Sequence, residues 1–360
     1  MEVLYYMQPR PITGGSTNVA YFLTKALAKR VNLTYFPRVA DLRYPLDLLR
    51  VYRDFLDKKF NVVHFNVTPS FIQYYRTSRW VDGNYFLLKS AKGRGASTII
   101  NIHGIITLEN EKSRQKDQYV ALKTLDKVKA CRKIDQIVVN SEYMRSQVIA
   151  CYGAEKDKIV VIPNGVDLDM FKEQNSKFTL SGDPAVLYVG HLWWVKGVDV
   201  LLQAIVELKS IFPNIKLHLV GKTDAVDYRL KAKQKGLEGQ LIFHGAVPHS
   251  MIPYYFKAAS LCAFPSRHEG FSIAMLEAMA SGTPIVASDI ERFREILRNE
   301  ENGVVFKSGD AGSLSAAILR VHSSSELRRR IIQGASETVL PYAWDNIAER
   351  YLSLYNEMCS

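Results

Sequence analysis

The chain has 360 residues, 47% of them apolar and 23% charged, an ordinary globular composition whose length predicts two domains at roughly 100 to 200 residues each. Four cysteines, Cys131, Cys151, Cys262 and Cys359, stand far apart without a CxxC pair, which argues against a disulfide framework or a zinc cluster. The net charge of +11 suits an anionic partner such as a membrane surface, a phosphorylated substrate or nucleic acid.

The opening "MEVLYYMQPR" carries Glu2, no basic leader and too short an apolar run for a signal peptide, and no stretch approaches 18 apolar residues. The expectation is a cytoplasmic protein without a membrane span. "VLYYM" reads as the first buried strand. Gly14 and Gly15 follow it, before an amphipathic helix in which Val19, Phe22, Leu23, Ala26 and Leu27 recur at helical spacing. Backbone without Cβ atoms can approach a phosphate or sugar there, with helix amides pointing at it; a tight turn accounts for the pair equally well. The full GxGxxG of a nicotinamide site is missing. Further strands follow at "NLTYF", "NVVHF", "STIINIH", "QIVVNS" and "KIVVIPNG".

"VDLDMFKEQNSKFTLSGDP" is polar, is punctuated by Gly182 and Pro184, and reads as a linker. Strands then resume at "AVLYVGH", "IKLHLVG", "LIFHGAV", "LCAFPS", "PIVASD" and "GVVF", with helical segments between them. Strands alternating with helices predict an α/β protein of two doubly wound, Rossmann-like domains facing across a cleft, with ligands at the carboxyl ends of strands. The expected boundaries are residues 1–166 for the first domain, 167–184 for the linker, 185–340 for the second domain and 341–360 for a C-terminal helix.

Residues 1–170 hold 26 Lys and Arg against 16 Asp and Glu, residues 171–360 hold 21 against 20, so the basicity belongs to the first half. Within it, Phe71, Tyr74, Tyr75, Trp80, Tyr85 and Phe86 interleave with Arg76, Arg79, Lys89, Lys92 and Arg94. That mixture suits an anionic membrane headgroup layer; aromatics at such spacing also serve a core.

"RHEGFSIAMLEAMASGTPIVASD", residues 267–289, follows the strand "LCAFPS". With a helix beginning near Ser272, Glu269 falls on the loop and Glu277 inside the helix. On one continuous helix their eight-residue spacing would put them roughly 80° apart, so they read as contacts to different parts of one ligand. The amides of Phe271, Ser272 and Ile273 form a helix N-terminus suited to a diphosphate, and Gly282 and Pro284 stop the helix.

This stretch resembles the E-x7-E signature of family 4 glycosyltransferases, retaining enzymes of the GT-B fold. "NSEYMRSQVI", "IVVIPNGVDLDMF", "AVLYVGHLWWVKGVDVLLQAI", "LHLVG", "LIFHGAV" and "YAWDNIAERYLSLY" occur in the order that family shows. The resemblance implies a nucleotide-sugar donor held by the second domain, a hydroxyl acceptor held by the first, and a C-terminal helix that returns to the first domain. It implies that Glu277 binds the ribose, Glu269 the donor sugar and Lys196 the diphosphate, and that His103 in "INIHG" lies near the reacting sugar. Gly14, Gly15, Val247, Gly270, Phe271, Ser272 and Ile273 complete the donor side. His191 stands where the family usually has an arginine, so the diphosphate clamp loses a bidentate fork and is expected either to be weaker or pH-sensitive or to draw on another basic residue such as Arg267. Trp193 and Trp194 suit either a hydrophobic lip or the core. The string Asp167-Leu168-Asp169 mimics a metal-binding DxD but enters the linker and reads as structural.

A fixed ammonium and helix-end amides stabilise a departing nucleoside diphosphate without a metal, so no metal or cofactor is expected. An acceptor borne on a lipid fits the basic half. The rival classes are a sugar-nucleotide epimerase or hydrolase on the same architecture, and a nucleic-acid-binding protein, for which no zinc, RRM or helix-turn-helix signature is found.

Overall fold

The computed structural model describes residues 1–6, 15–36, 58–66, 72–75, 78–81, 83–103, 131–172, 177–223 and 228–360. They form two compact units, Met1–Asn164 with Trp344–Ser360, and Gly165–Ala343. Each is a parallel sheet flanked by helices, so both expected doubly wound sheets are present.

In the first unit β1 (Glu2–Tyr6), β2 (Asn32–Phe36), β3 (Val62–Phe65), β6 (Ser97–Ile102), β7 (Gln136–Val139) and β8 (Ile159–Val161) pair in the order β2-β1-β3-β6-β7-β8, and β4 (Ile72–Tyr75) and β5 (Ser78–Val81) make a separate antiparallel pair. The strand β3 is buried at all four positions, as a parallel sheet covered on both faces requires. Helices α1 (Gly15–Leu27), α2 (Gly83–Gly93) and α3 (Glu142–Tyr152) lie between strands. Val19, Leu23 and Leu27 of α1 are buried at the predicted helical spacing. In α3 the Ser141 hydroxyl accepts from the Met144 amide, and Gly153 ends the helix in the left-handed region. The strand order reverses between β1 and β3, the point where doubly wound sheets open a crevice at their carboxyl ends.

The second unit begins with α4 (Leu168–Lys172), inside the stretch expected as a linker. Asp167 accepts from the Met170 amide at 3.1 Å and caps this helix, while Phe171 is buried in the unit's core. Then come β9 (Ala185–Val189), α5 (Val198–Leu208), β10 (Lys216–Val220), α6 (Tyr228–Gln234), β11 (Leu241–Gly245), α7 (Ile252–Ala258), β12 (Leu261–Phe264), α8 (Ile273–Ala280), β13 (Ile285–Ser288), α9 (Glu291–Arg294), β14 (Val304–Phe306), α10 (Ala311–Ser323) and α11 (Ser325–Val339). The strands pair as β11-β10-β9-β12-β13-β14, with the reversal between β9 and β12. Leu201, Leu202, Ile205 and Leu208 of α5 are fully buried, each contributing about 1.5–3 kcal/mol.

The chain then returns to the first unit as α12 (Trp344–Cys359). It packs along α1, where Arg30 reaches Glu349 at 2.6 Å and Asp345 at 3.2 Å. Inside the unit, the Tyr355 hydroxyl lies 2.6 Å from Nδ1 of His64 on β3. Burial pushes the His64 imidazole down to about 3, so it is neutral at physiological pH.

Divided at the observed units, the first holds 27 Lys and Arg against 17 Asp and Glu and the second 20 against 19, so the basic bias stays with the first. Of the aromatic-basic stretch, the side chains of residues 71–87 lie outside the described residues. Lys92 pairs with Asp135 at 2.6 Å, and Arg94 donates to the Lys58 carbonyl at 3.2 Å. Among the described residues no helix is long and apolar enough to cross a membrane.

Tyr355→Phe strands the buried His64 Nδ1 without a partner. A loss of about 1–3 kcal/mol in the stability of the first unit is expected, seen as a lower urea midpoint at unchanged slope.

Candidate active site

The residues singled out in the second half come off the two strands that flank its switch point. After β9 the chain passes His191 and turns through Trp194–Lys196 into α5, with Gly197 at φ 68°. A Cβ on Gly197 would stand 1.9 Å from the Pro265 carbonyl oxygen, so a glycine is what lets the loop after β9 touch the loop after β12. Arg267 then fastens the two. Its amide donates to the Val195 carbonyl at 2.8 Å, its Nη1 donates to the Trp194 carbonyl at 2.8 Å, and its two Nη atoms reach the two oxygens of Asp199 at 2.7 Å each. The guanidinium is therefore committed to Asp199 and is not the spare phosphate ligand expected above. Their charges reinforce each other: burial opposes the Asp199 carboxylate, but Arg267 outweighs it and holds the group below its ordinary range. Trp193 and Trp194 are half-buried.

With the loops fixed, Lys196 Nζ lies 2.6 Å from Glu269 Oε2, and Ser266 Oγ donates to Glu269 Oε1 at 2.9 Å. The ammonium is 26% exposed and the carboxylate 10%, so the pair is sheltered but reachable from solvent. Two of the three Lys196 protons are left for an anion, and Glu269 keeps lone pairs for hydroxyls. Next along the chain, Gly270, Phe271 and Ser272 lead into α8, whose cap position is Ser272. The amides of these three residues meet no acceptor among the described residues. Arg292 braces the turn from beneath: its Nε donates to the Gly270 carbonyl at 3.2 Å and its guanidinium lies 4.4 Å from the Phe271 ring centre. Ile273, the first residue of α8, is half-buried.

Glu277 sits inside α8 and is buried, with Oε1 2.6 Å from Nε2 of His249. Oε2 meets no donor among the described residues, leaving half of the carboxylate for a ligand. Burial opposes the His249 charge, but the hydrogen bond and charge of Glu277, helped by Asp167, outweigh it and raise the imidazole above its ordinary value. The two glutamates thus have separate partners, Lys196 for one and His249 for the other. His249, Arg292 and Ser266 are absent from the expected set. The one signal for His249 was its position just after β11, two residues beyond Val247, at a carboxyl strand end.

His191 is exposed, and its carbonyl accepts from the Tyr188 hydroxyl at 2.8 Å. Val247 is half-buried against the core. Gly15 is the first residue of α1, and Gly14 lies outside the described residues. In the first unit, His103 follows β6 and its Nε2 lies 3.2 Å from Asn66 Oδ1, just past β3. Burial pushes its imidazole down to about 4, only partly offset by a hydrogen bond to the Asn66 backbone.

Two family models divide the chain between them, "Glycosyltransferase Family 4" over residues 13–170 and "Glycosyl transferases group 1" over residues 169–338. The chain belongs with the GT-B glycosyltransferases. A D-inositol 3-phosphate glycosyltransferase of Thermomonospora curvata is 25% identical over 311 residues, 80% of this chain and 72% of that protein. A phosphatidyl-myo-inositol mannosyltransferase of Mycobacterium leprae is 32% identical over 207 residues, 56% of this chain and 54% of that protein. The chain thus spans about half to three quarters of the length of these relatives. Among solved structures, sucrose-phosphate synthase from Thermosynechococcus elongatus matches over 99% of both chains with a TM-score of 0.78 at 19% identity. Anabaena HepE in complex with UDP-glucose matches over 99% of this chain and 100% of that one, with a TM-score of 0.74 at 15% identity. These likenesses show the GT-B architecture, two Rossmann-like domains, in this glycosyltransferase.

The His249–Glu277 pair predicts a pH dependence. The folded His249 binds its proton more tightly than the unfolded one, whose value is 6.5. Its stabilisation is therefore full below that pH and is lost as pH rises through the higher folded value. The urea midpoint of the second unit is expected to fall across that window in the wild type, and His249→Gln is expected to flatten that slope.

Proposed function

We propose that this chain moves a sugar from a nucleoside diphosphate sugar to a hydroxyl acceptor, with retention of configuration and without a metal. The observation that carries this reading is the sheltered Lys196–Glu269 pair at the β9/β12 switch point, beside three amides before α8 that meet no acceptor among the described residues. An ammonium and backbone N–H groups at a helix N-terminus suit a diphosphate. They act most strongly as the leaving phosphate gains charge. Glu269 is placed to accept from the donor sugar's hydroxyls. Glu277, one oxygen held by His249, offers the other to the ribose.

His103 of the first unit serves the reacting sugar. Attack comes from the face the leaving group departs, and the departing phosphate oxygen takes the acceptor's proton, so no side chain is needed as general base. The donor class is the one HepE was solved with, a UDP-sugar or a close analogue. The acceptor is phosphate-bearing, free or at a lipid surface. The basic first unit, and relatives named for inositol 3-phosphate and phosphatidyl-myo-inositol, support this reading.

Acceptor-dependent release of nucleoside diphosphate tests the reading; release that ignores acceptor would mean hydrolysis instead. Lys196→Ala is expected to lower kcat by about 10²–10³-fold, because the lost cation is felt most as the phosphate departs. Glu277→Ala is expected chiefly to raise the KM for donor, since a ribose contact is felt in ground and transition states alike. Wild-type kinetics in either variant removes that residue from the site.

A further inference from the structure

The first unit holds a buried polar chain that runs from α12 to His103. The Tyr351 hydroxyl donates to Asn101 Oδ1 at 3.2 Å, Asn101 Nδ2 donates to Asn66 Oδ1 at 3.1 Å, and His103 Nε2 lies 3.2 Å from the same Asn66 oxygen. Asn66 is fully buried, Asn101 2% exposed and Tyr351 4%. Asn66 and Asn101 stand at the ends of the neighbouring strands β3 and β6, so adjacent strands of one sheet fix their separation. An amide N–H only donates and a carbonyl oxygen only accepts. With the Tyr351 hydroxyl as donor, each link fixes the next, and the series ends on the imidazole.

We infer that Asn66 is a positioning residue for His103: its oxygen holds the ring in the Nε2–H tautomer and leaves Nδ1 as an unprotonated acceptor. Tyr351, through Asn101, turns the Asn66 oxygen toward the ring. The C-terminal helix thereby sets the chemical state of a group near the reacting sugar, and the inference rests on the place given to His103 under the proposed function. An imidazole kept neutral with a defined acceptor nitrogen can take a hydrogen bond from a sugar hydroxyl; an imidazolium cannot. Burial favours the same neutral form. The titratable neighbours in this cluster, His64, Tyr351 and Tyr355, are neutral as well, because burial pushes the imidazole of His64 down and both phenols up. The Asn66 Nδ2 group is buried without an acceptor among the described residues. That cost is tolerated for an oxygen that takes two hydrogen bonds.

The test reads the ring directly. In the full chain labelled with ¹⁵N-histidine, long-range ¹H–¹⁵N spectra identify the protonated nitrogen of each ring, and the His103 signals are those lost in His103→Gln. The wild type is expected to carry its proton on Nε2 and to stay neutral at pH 6. Asn66→Asp, nearly isosteric, places a carboxylate against Nε2–H. It is expected to raise the His103 titration midpoint by about one pH unit or more. It is also expected to move the acid limb of the rate profile upward by the same amount while leaving kcat at neutral pH, where the ring is still neutral, little changed. Tyr351→Phe is expected to yield a mixture of tautomers. A wild-type ring protonated on Nδ1, a midpoint unmoved by Asn66→Asp, or a moved midpoint that the acid limb of the rate profile does not follow would each overturn the inference. Absence of any sugar transfer by the wild type would count against the proposed function instead, since the tautomer is read without turnover.

Discussion

The site in the second unit depends on one close approach, the seating of the loop after β9 against the loop after β12 at Gly197 and Pro265. A side chain at residue 197 would overlap the Pro265 carbonyl, and without that contact Lys196 and Glu269 have no reason to meet. Arg267 converts the approach into a fixed geometry by tying its own backbone to Val195 and its fork to Asp199. Such an arrangement is rigid where the proposed transfer needs it. The Glu269 carboxylate is held by Lys196 on one oxygen and by the buried Ser266 hydroxyl on the other, and the loops that carry them are fastened by Arg267.

A second constraint is polar rather than steric. Each unit holds its candidate site groups through a neighbouring polar side chain, buried in the case of Arg292 and Asn66. His249 holds one oxygen of Glu277 and Arg292 braces the turn before α8, while Asn66 holds His103 and is itself aligned from α12. Burying such groups costs free energy unless they are hydrogen-bonded; among the described residues the first unit's network leaves Tyr5 OH, His64 Nε2 and Asn66 Nδ2 without partners. The return of the chain to the first unit therefore does more than cover apolar surface: Tyr351 and Tyr355 supply hydroxyls to Asn101 and His64 from a helix whose exposed face carries acids that meet Lys29 and Arg30.

Much of this was legible in the residues. The alternation of valine-rich runs with amphipathic segments reports two parallel sheets, because strands covered on both faces must be apolar throughout. The helix start at Ser272 follows from the local chain. Lys196 and Glu269 could be singled out from motif and strand-end position, and the structure brings them together. What was hidden has a common cause. Arg267 read as a free cation because sequence does not show that Asp199, 68 residues away, fills its fork. His249 and Asn66 carried no periodicity or spacing signal, since their partners Glu277 and His103 lie on other elements. The stretch read as a linker contains a capped helix with a buried phenylalanine, where polar composition masked the apolar residues that anchor it.

The central claim is that the turn from Gly270 to Ile273, with Lys196 beside it, seats a diphosphate. Amide hydrogen exchange of the full chain, with and without a saturating nucleoside diphosphate, measures this most directly. The account predicts slowed exchange in the peptides covering residues 270–273 and 194–198, abolished together with binding in Lys196→Ala. Binding that leaves the exchange of both stretches unchanged, with protection elsewhere, would contradict it.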